Sequence, residues 1–151
     1  MSTAVSVRKV WAKDLPYLKL LFAEDGMALP SKKELESGLA AVSERGELVG
    51  FIRILQVADE ENPLGDGNYV YPVIVFKSWQ GHGVGRALIE EAHRLYGELR
   101  LVSCLASRGF YPKCGFEPLA WEEVAHRVAN DCKHCPDLSS CEPQAFIKGQ
   151  G

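Results

Sequence analysis

Tyr71-Pro72-Val73-Ile74-Val75-Phe76 leads through three residues into Gln80-Gly81-His82-Gly83-Val84-Gly85, and Arg86-Ala87-Leu88-Ile89-Glu90-Glu91-Ala92-His93-Arg94-Leu95-Tyr96 follows. The first stretch is an apolar run of strand character and the last is amphipathic at helical spacing. A strand that turns through glycines into a helix presents unpaired backbone N–H groups and the positive end of a helix dipole to whatever lies before it. The stretch therefore reads as an anion site suited to a pyrophosphate. The competing reading is a glycine turn that only lets the helix pack closely. A dinucleotide fingerprint fits worse, since the third glycine comes early and Leu101 to Ala106 carries no acid. A Walker loop is excluded by Gly85-Arg86-Ala87, which lacks its lysine and its hydroxyl.

Working outward, 151 residues are enough for one domain with a real core, so a single domain over 1–151 is the expectation. A net charge of −3 offers no general attraction to nucleic acid or acidic membranes. The sequence has no apolar run of about 18 residues and no leader pattern in Met1 to Val10, so a soluble, cytoplasmic protein is expected. Val5 to Val10 alternates as a strand does, and Lys13 to Glu24 has helical spacing with Pro16 in its first turn. Ser31 caps a short helix with Glu34 at the capping-box position. Strands near Leu39 to Ser43 and Glu47 to Val57 are joined by the turn Glu44-Arg45-Gly46, and Asp59 to Asn68 reads as a loop. Then come a strand Tyr69 to Phe76, the glycine turn, a helix to Tyr96 and a strand Leu99 to Ala106. A short helical stretch near Arg108 to Cys114 and strands near Glu117 to Trp121 and Ala145 to Lys148 complete the chain. The predicted fold class is α/β (α+β): a mixed central sheet of about six to seven strands flanked by helices, with a strand-helix-strand unit at its centre.

One strand after the glycine turn stands Phe110-Tyr111-Pro112-Lys113-Cys114-Gly115-Phe116. With Gln80-x-x-Gly83-x-Gly85 before it, in this order and spacing, the chain resembles the GNAT superfamily of acetyl-CoA-dependent N-acetyltransferases. The resemblance implies that backbone amides of Gln80, Gly81, His82, Gly83, Val84, Gly85 and Arg86 hold the coenzyme A pyrophosphate, while Ile74 and Val75 pair with the pantetheine arm through their backbone. It implies direct attack of a neutral amine on the thioester in a ternary complex, assisted by approximation and by a backbone N–H near Val75 for the oxyanion. Tyr111 matches the tyrosine that protonates the departing sulfur; a phenol with pKa near 10 can do so while held close to the thiolate. Taken without the motif, Tyr111 is an aromatic packed under a turn. For a general base Tyr71 and Asp66 are candidates, with Glu60 and Glu61 behind them. His82, inside the anion loop, reads as facing solvent or phosphate, and His93 as a partly exposed helix residue.

Asp131-Cys132-Lys133-His134-Cys135-Pro136 and Cys141 set three thiols within ten residues. That spacing suits a tetrahedral zinc site of Cys132, Cys135 and Cys141, with His126 or His134 as fourth ligand, or else a packed loop of reduced thiols. An iron–sulfur centre is the minor alternative. The segment 126–148, with Gly26-Met27-Ala28-Leu29-Pro30-Ser31 near the start, resembles short bacterial N-acetylglutamate synthase-like amino-acid N-acetyltransferases. These typically carry an arginine straight after Leu-Pro, where this chain has Ser31, and Glu-Ile-Arg on the strand before the glycine turn, where it has Asn68-Tyr69-Val70-Tyr71-Pro72. The expected partners are acetyl-CoA and a small amine or amino-acid acceptor such as glutamate, without nucleic acid or membrane, and a homodimer is the common assembly for the resembled fold. The alternatives are acetylation of a protein N-terminus or lysine, and a non-catalytic acyl-CoA binding or metal-sensing module.

Overall fold

The computed structural model describes residues 4–103, 109–133 and 143–149, positions 130–133 by their backbone. The described residues contain strands β1 (Val5–Lys9), β2 (Leu39–Ser43), β3 (Leu48–Val57), β4 (Gly67–Val75), β5 (Leu99–Ser103), β6 (Glu117–Leu119) and β7 (Gln144–Lys148). They also contain helices α1 (Leu15–Glu24), α2 (Lys32–Glu36), α3 (Val84–Tyr96), α4 (Phe110–Lys113) and α5 (His126–Lys133). The strands are hydrogen-bonded neighbours in the order β1-β2-β3-β4-β5-β7-β6. The pairs β1 with β2, β2 with β3, β5 with β7 and β6 with β7 are antiparallel, whereas β4 runs parallel to β5, as a strand-helix-strand crossover through α3 requires. This is the mixed α/β sheet expected from the sequence.

The chain divides into two compact units, Met1–Ile54 with Tyr71–Leu95 and Leu55–Val70 with Tyr96–Gly151; β3 and β4 supply residues to both. The core of the first packs Leu18 and Phe22 of α1 and Leu35 of α2 on Ala40 of β2, Phe51 of β3 and Ile74 of β4. The Phe22 and Phe51 rings meet edge to face at 5.6 Å. Gly38 makes room for that ring: a Cβ there would lie 2.4 Å from Phe51. Neighbouring residues of a strand face opposite ways. Gly50, beside Phe51, accordingly takes α3, and a Cβ on it would lie 3.0 Å from Val84 and 3.1 Å from Leu88.

The turn chemistry of this unit follows the expectation. Ser31 Oγ accepts from the Glu34 N–H at 3.2 Å and Glu34 Oε1 accepts in return from the Ser31 N–H at 3.3 Å, the reciprocal pair that starts α2. Gly46, with φ of +82°, closes the β2–β3 hairpin by donating to Ser43 O at 2.9 Å. Before α1, the buried Asp14 accepts from the Trp11 N–H at 2.7 Å and from both terminal nitrogens of Arg8 at 2.7 and 2.9 Å.

In the second unit Tyr69, 1% exposed, is the tie. Its hydroxyl donates to Gly65 O at 2.7 Å and accepts from the Ala125 N–H at 2.9 Å, so a buried phenol is satisfied on both sides. The two segments touch so closely that a Cβ at Gly65 would lie 2.6 Å from the Ala125 backbone. The Asn62 amide donates to Glu122 O and Val124 O, and Arg100 Nη1 donates to Leu64 O and Glu123 O.

Several boundaries differ from the sequence reading. β4 opens at Gly67, because Gly67 packs on the Arg100 side chain and the Asn68 amide donates to Tyr96 O and Glu98 O. β6 ends at Leu119, and Trp121 starts a 3-10 turn. The helix after the glycine turn begins at Val84, whose side chain is buried. α5 was not anticipated in the cysteine-bearing tail. Residues 104–106 of the expected fifth strand lie outside the described residues.

Candidate functional site

In the first unit, β4 ends at Val75 and a 3-10 turn, Lys77–Trp79, delivers the chain to Gln80. Three bonds hold this corner. Phe76 N donates to Val49 O at 3.0 Å, Lys77 N to Glu24 Oε1 at 2.6 Å, and Gln80 Nε2 reaches back to Val75 O at 3.2 Å. The glutamine of the motif is thereby the clamp that sets where the glycines start. Gly81 and Gly83 have φ of +83° and +81°, and a Cβ on either would meet nothing within 4 Å. Glycine is needed there for the left-handed backbone, not for space. Ala87 N donates to Gly83 O at 3.0 Å, whereas no backbone N–H from Gly81 to Arg86 finds an acceptor among the described residues. Six consecutive donors at the exposed start of a 13-residue helix form a concentration of positive potential.

The side chains round this cradle keep aside. Val84 is buried beneath it, His82 is exposed with its ring 6.2 Å from that of Trp79, and Arg86 Nε is paired along the helix with Glu90 at 3.0 Å. Ile74 is 6% exposed with its side chain in the core. What the turn can do chemically is bind an anion through main-chain N–H groups.

The same unit holds a residue that the sequence reading passed over. Arg53 lies on β3 in the apolar run Leu48–Val57 and is 8% exposed. Its Nη1 donates to Glu34 Oε2 at 2.6 Å, and its guanidinium carbon stands 5.9 Å from the ring of Tyr71, which is 45% exposed. Bonds from the Ser31 hydroxyl and N–H, then the charge of Arg53, hold the Glu34 carboxyl below its ordinary range. The signal available in the sequence was a lone arginine inside an otherwise apolar strand.

Residues 36–118, over half of the chain, match the family model of the acetyltransferase (GNAT) domain. The chain belongs to the GNAT family. Among curated proteins no sequence matches it. Solved structures agree with the GNAT fold. N-acetylglutamate synthase from Neisseria gonorrhoeae, complexed with coenzyme A and N-acetyl-glutamate, has a TM-score of 0.73 at 18% identity, covering 100% of this chain and 36% of that one. This chain thus spans about a third of that protein's length. A histone acetyltransferase HPA2 and related acetyltransferase from Corynebacterium glutamicum has a TM-score of 0.68 at 18% identity, covering 98% and 97%. Naa50 of Arabidopsis thaliana, in complex with a bisubstrate analogue, has a TM-score of 0.62 at 18% identity, covering 96% and 98%.

The second GNAT motif lies in the second unit. Tyr111, on α4, is half-buried in an aromatic group: its ring is 5.1 Å from Phe110, 5.7 Å from Phe116 and 5.9 Å from Phe146. Gly115, with φ of +90°, reverses the chain after it, and Lys148 Nζ donates to Cys114 O at 2.5 Å. Asp66 Oδ1 accepts from the Asp59 N–H at 2.6 Å, and Glu61 stands 3.4 Å from His126 Nδ1; Glu60 is exposed in the same loop. Tyr71 is placed with Arg53. His93 is half-buried on α3, within the GNAT strand-helix-strand unit.

For the zinc expectation, Cys135, Cys141 and His134 lie outside the described residues, and Cys132 is described by its backbone on α5. His126 opens that helix beside Asp59 and Glu61, and its N–H, donated to Asp59 Oδ2 at 2.8 Å, holds the Asp59 carboxyl below its ordinary range. Among the described residues no group of three or more His, Cys, Asp or Glu is arranged for a metal ion. Cys114 is a buried thiol outside any disulfide.

Proposed function

We propose that this protein is an acetyl-CoA-dependent N-acetyltransferase that acetylates the amine of a small molecule, an amino acid such as glutamate among them. The observation that carries the reading is the row of backbone donors from Gly81 to Arg86 in a chain of the GNAT family. A pyrophosphate is the anion whose paired charges match a glycine turn feeding a helix N-terminus. The pantetheine arm would run along the backbone of Ile74 and Val75. The coenzyme A complexes of the Neisseria protein and the bisubstrate complex of Naa50 support this assignment by analogy.

The neutral amine nitrogen attacks the thioester carbonyl carbon, and a C–N bond forms as the carbonyl becomes an oxyanion. Its collapse breaks the C–S bond. The amine proton passes to water, and the coenzyme A thiolate takes a proton from Tyr111, which is restored from solvent. An α-amine with pKa near 8 is in part neutral at cellular pH, so a dedicated base is not needed.

Thiol release from acetyl-CoA across a panel of amino acids and simple amines, with the acetylated product identified by mass, tests the reading. Turnover of an amino acid is expected. Tyr111→Phe should lower kcat by about 10²-fold or more while acetyl-CoA still raises the melting temperature. Binding of acetyl-CoA without thiol release for any amine would instead make the protein a non-catalytic acyl-CoA binding module.

A further inference from the structure

Arg53 carries five N–H donors on its guanidinium, yet it is 8% exposed. Of those donors only Nη1 has a partner among the described residues, the carboxylate of Glu34. Glu34 is itself fixed from the other side, its Oε1 accepting from the Ser31 N–H at 3.3 Å and from the Ser31 hydroxyl at 2.9 Å. The pair holds the guanidinium by one corner. Its Nε and Nη2, the two parallel donors along the opposite edge, find no protein acceptor among the described residues.

A buried guanidinium with a spare edge is costly unless something polar meets it. The spare edge has the geometry that accepts a carboxylate in two parallel bonds, a fit that a lysine cannot reproduce. Beside the guanidinium stands the Tyr71 ring, which is 45% exposed. Tyr71 belongs to β4, the strand that ends at Val75 before the cradle, so Arg53 lies in the unit that carries the anion site.

We propose that Arg53 binds the carboxylate of the acceptor through Nε and Nη2, with Glu34 as its positioning residue, which makes the acceptor an amine that carries a carboxylate. The inference rests on the transferase reading and narrows it to an amino-acid-like substrate.

Initial rates with matched acceptors, each amino acid against its own carboxamide, test this in the wild type, Arg53→Gln and Arg53→Lys. Two charge-assisted hydrogen bonds should give the wild type a preference for the acid of about 10- to 100-fold in kcat/KM. In Arg53→Gln that ratio should fall towards one through the KM of the acid, and Arg53→Lys should retain less than a tenth of it. An acetyl-CoA melting shift reports whether each variant is folded; if Arg53→Gln is not, Arg53→Lys decides the question. An unchanged ratio in a folded variant, or no preference in the wild type, overturns the proposal. If the wild type binds acetyl-CoA but acetylates neither member of any pair, the transferase reading has failed. Calorimetric titration of the amino acids into the acetyl-CoA-loaded protein then decides Arg53 separately: binding lost in Arg53→Lys sustains the carboxylate site, and no binding to the wild type overturns it.

Discussion

Asp14 shows how much one carboxylate can organise. It accepts from the Trp11 N–H, setting the start of the helical segment, and from both terminal nitrogens of Arg8, tying β1 to that start. Burial pushes its carboxyl up, but the Arg8 and Trp11 hydrogen bonds and the charges of Arg8 and Lys13 outweigh burial and hold it below its ordinary range. A carboxyl depressed by folding contributes stability above its unfolded pKa and loses it as pH falls through the folded value. Asp14→Ala should therefore cost about 2 kcal/mol at pH 7 by chemical denaturation, a deficit that shrinks as the pH is taken below about 4. At this scale the sequence exposes residues whose role is local. Ser31 and Glu34 could be paired from their spacing alone, and so could the glycine of the hairpin. Arg53 could not, because its partner lies 19 positions away and its burial is decided by the packing of α2 on β3. Nor could the place of His126 beside two carboxylates be read locally, since Asp59 and Glu61 arrive from a loop more than 60 residues earlier.

At the scale of elements, the glycine turn and α3 form one device. Gly50 lets the first turn of α3 press on β3, Gln80 fixes the corner, and Gly81 and Gly83 aim the N–H groups outward. Because a Cβ on Gly83 meets no atom within 4 Å, Gly83→Ala isolates the backbone cost of a positive φ. We expect it to lower stability by about 1–2 kcal/mol and to weaken acetyl-CoA binding by more than that alone explains, as measured by calorimetry beside the melting curve. Elements with a strong period or a local cap were legible in the sequence: β1, α1, α2, the hairpin, α3. Those that depend on distant partners were not. The opening of β4 uses Gly67 and Asn68, residues of turn character, and is held by Arg100 and by carbonyls of Tyr96 and Glu98. α5 follows a cap region fastened by Tyr69, Asn62 and Asp59, and none of these fastenings has a signature near residue 126.

For the whole molecule, each unit has its own apolar core, one round Phe22 and Phe51 and the other round Tyr69 and Val124. The cradle and Arg53 belong to the first and Tyr111 to the second. Acetyl-CoA that binds only the folded chain must raise its stability by mass action, about 2.7 kcal/mol at a hundredfold excess over Kd. For a chain of this size that corresponds to about 5–10 °C in Tm. Thermal unfolding of the wild type against increasing acetyl-CoA is the most direct test of the central claim that the Gly81 to Arg86 donors hold this co-substrate. A saturable rise of that order, reduced in Gly83→Ala, is the expected result; a melting curve unmoved by millimolar acetyl-CoA would contradict it.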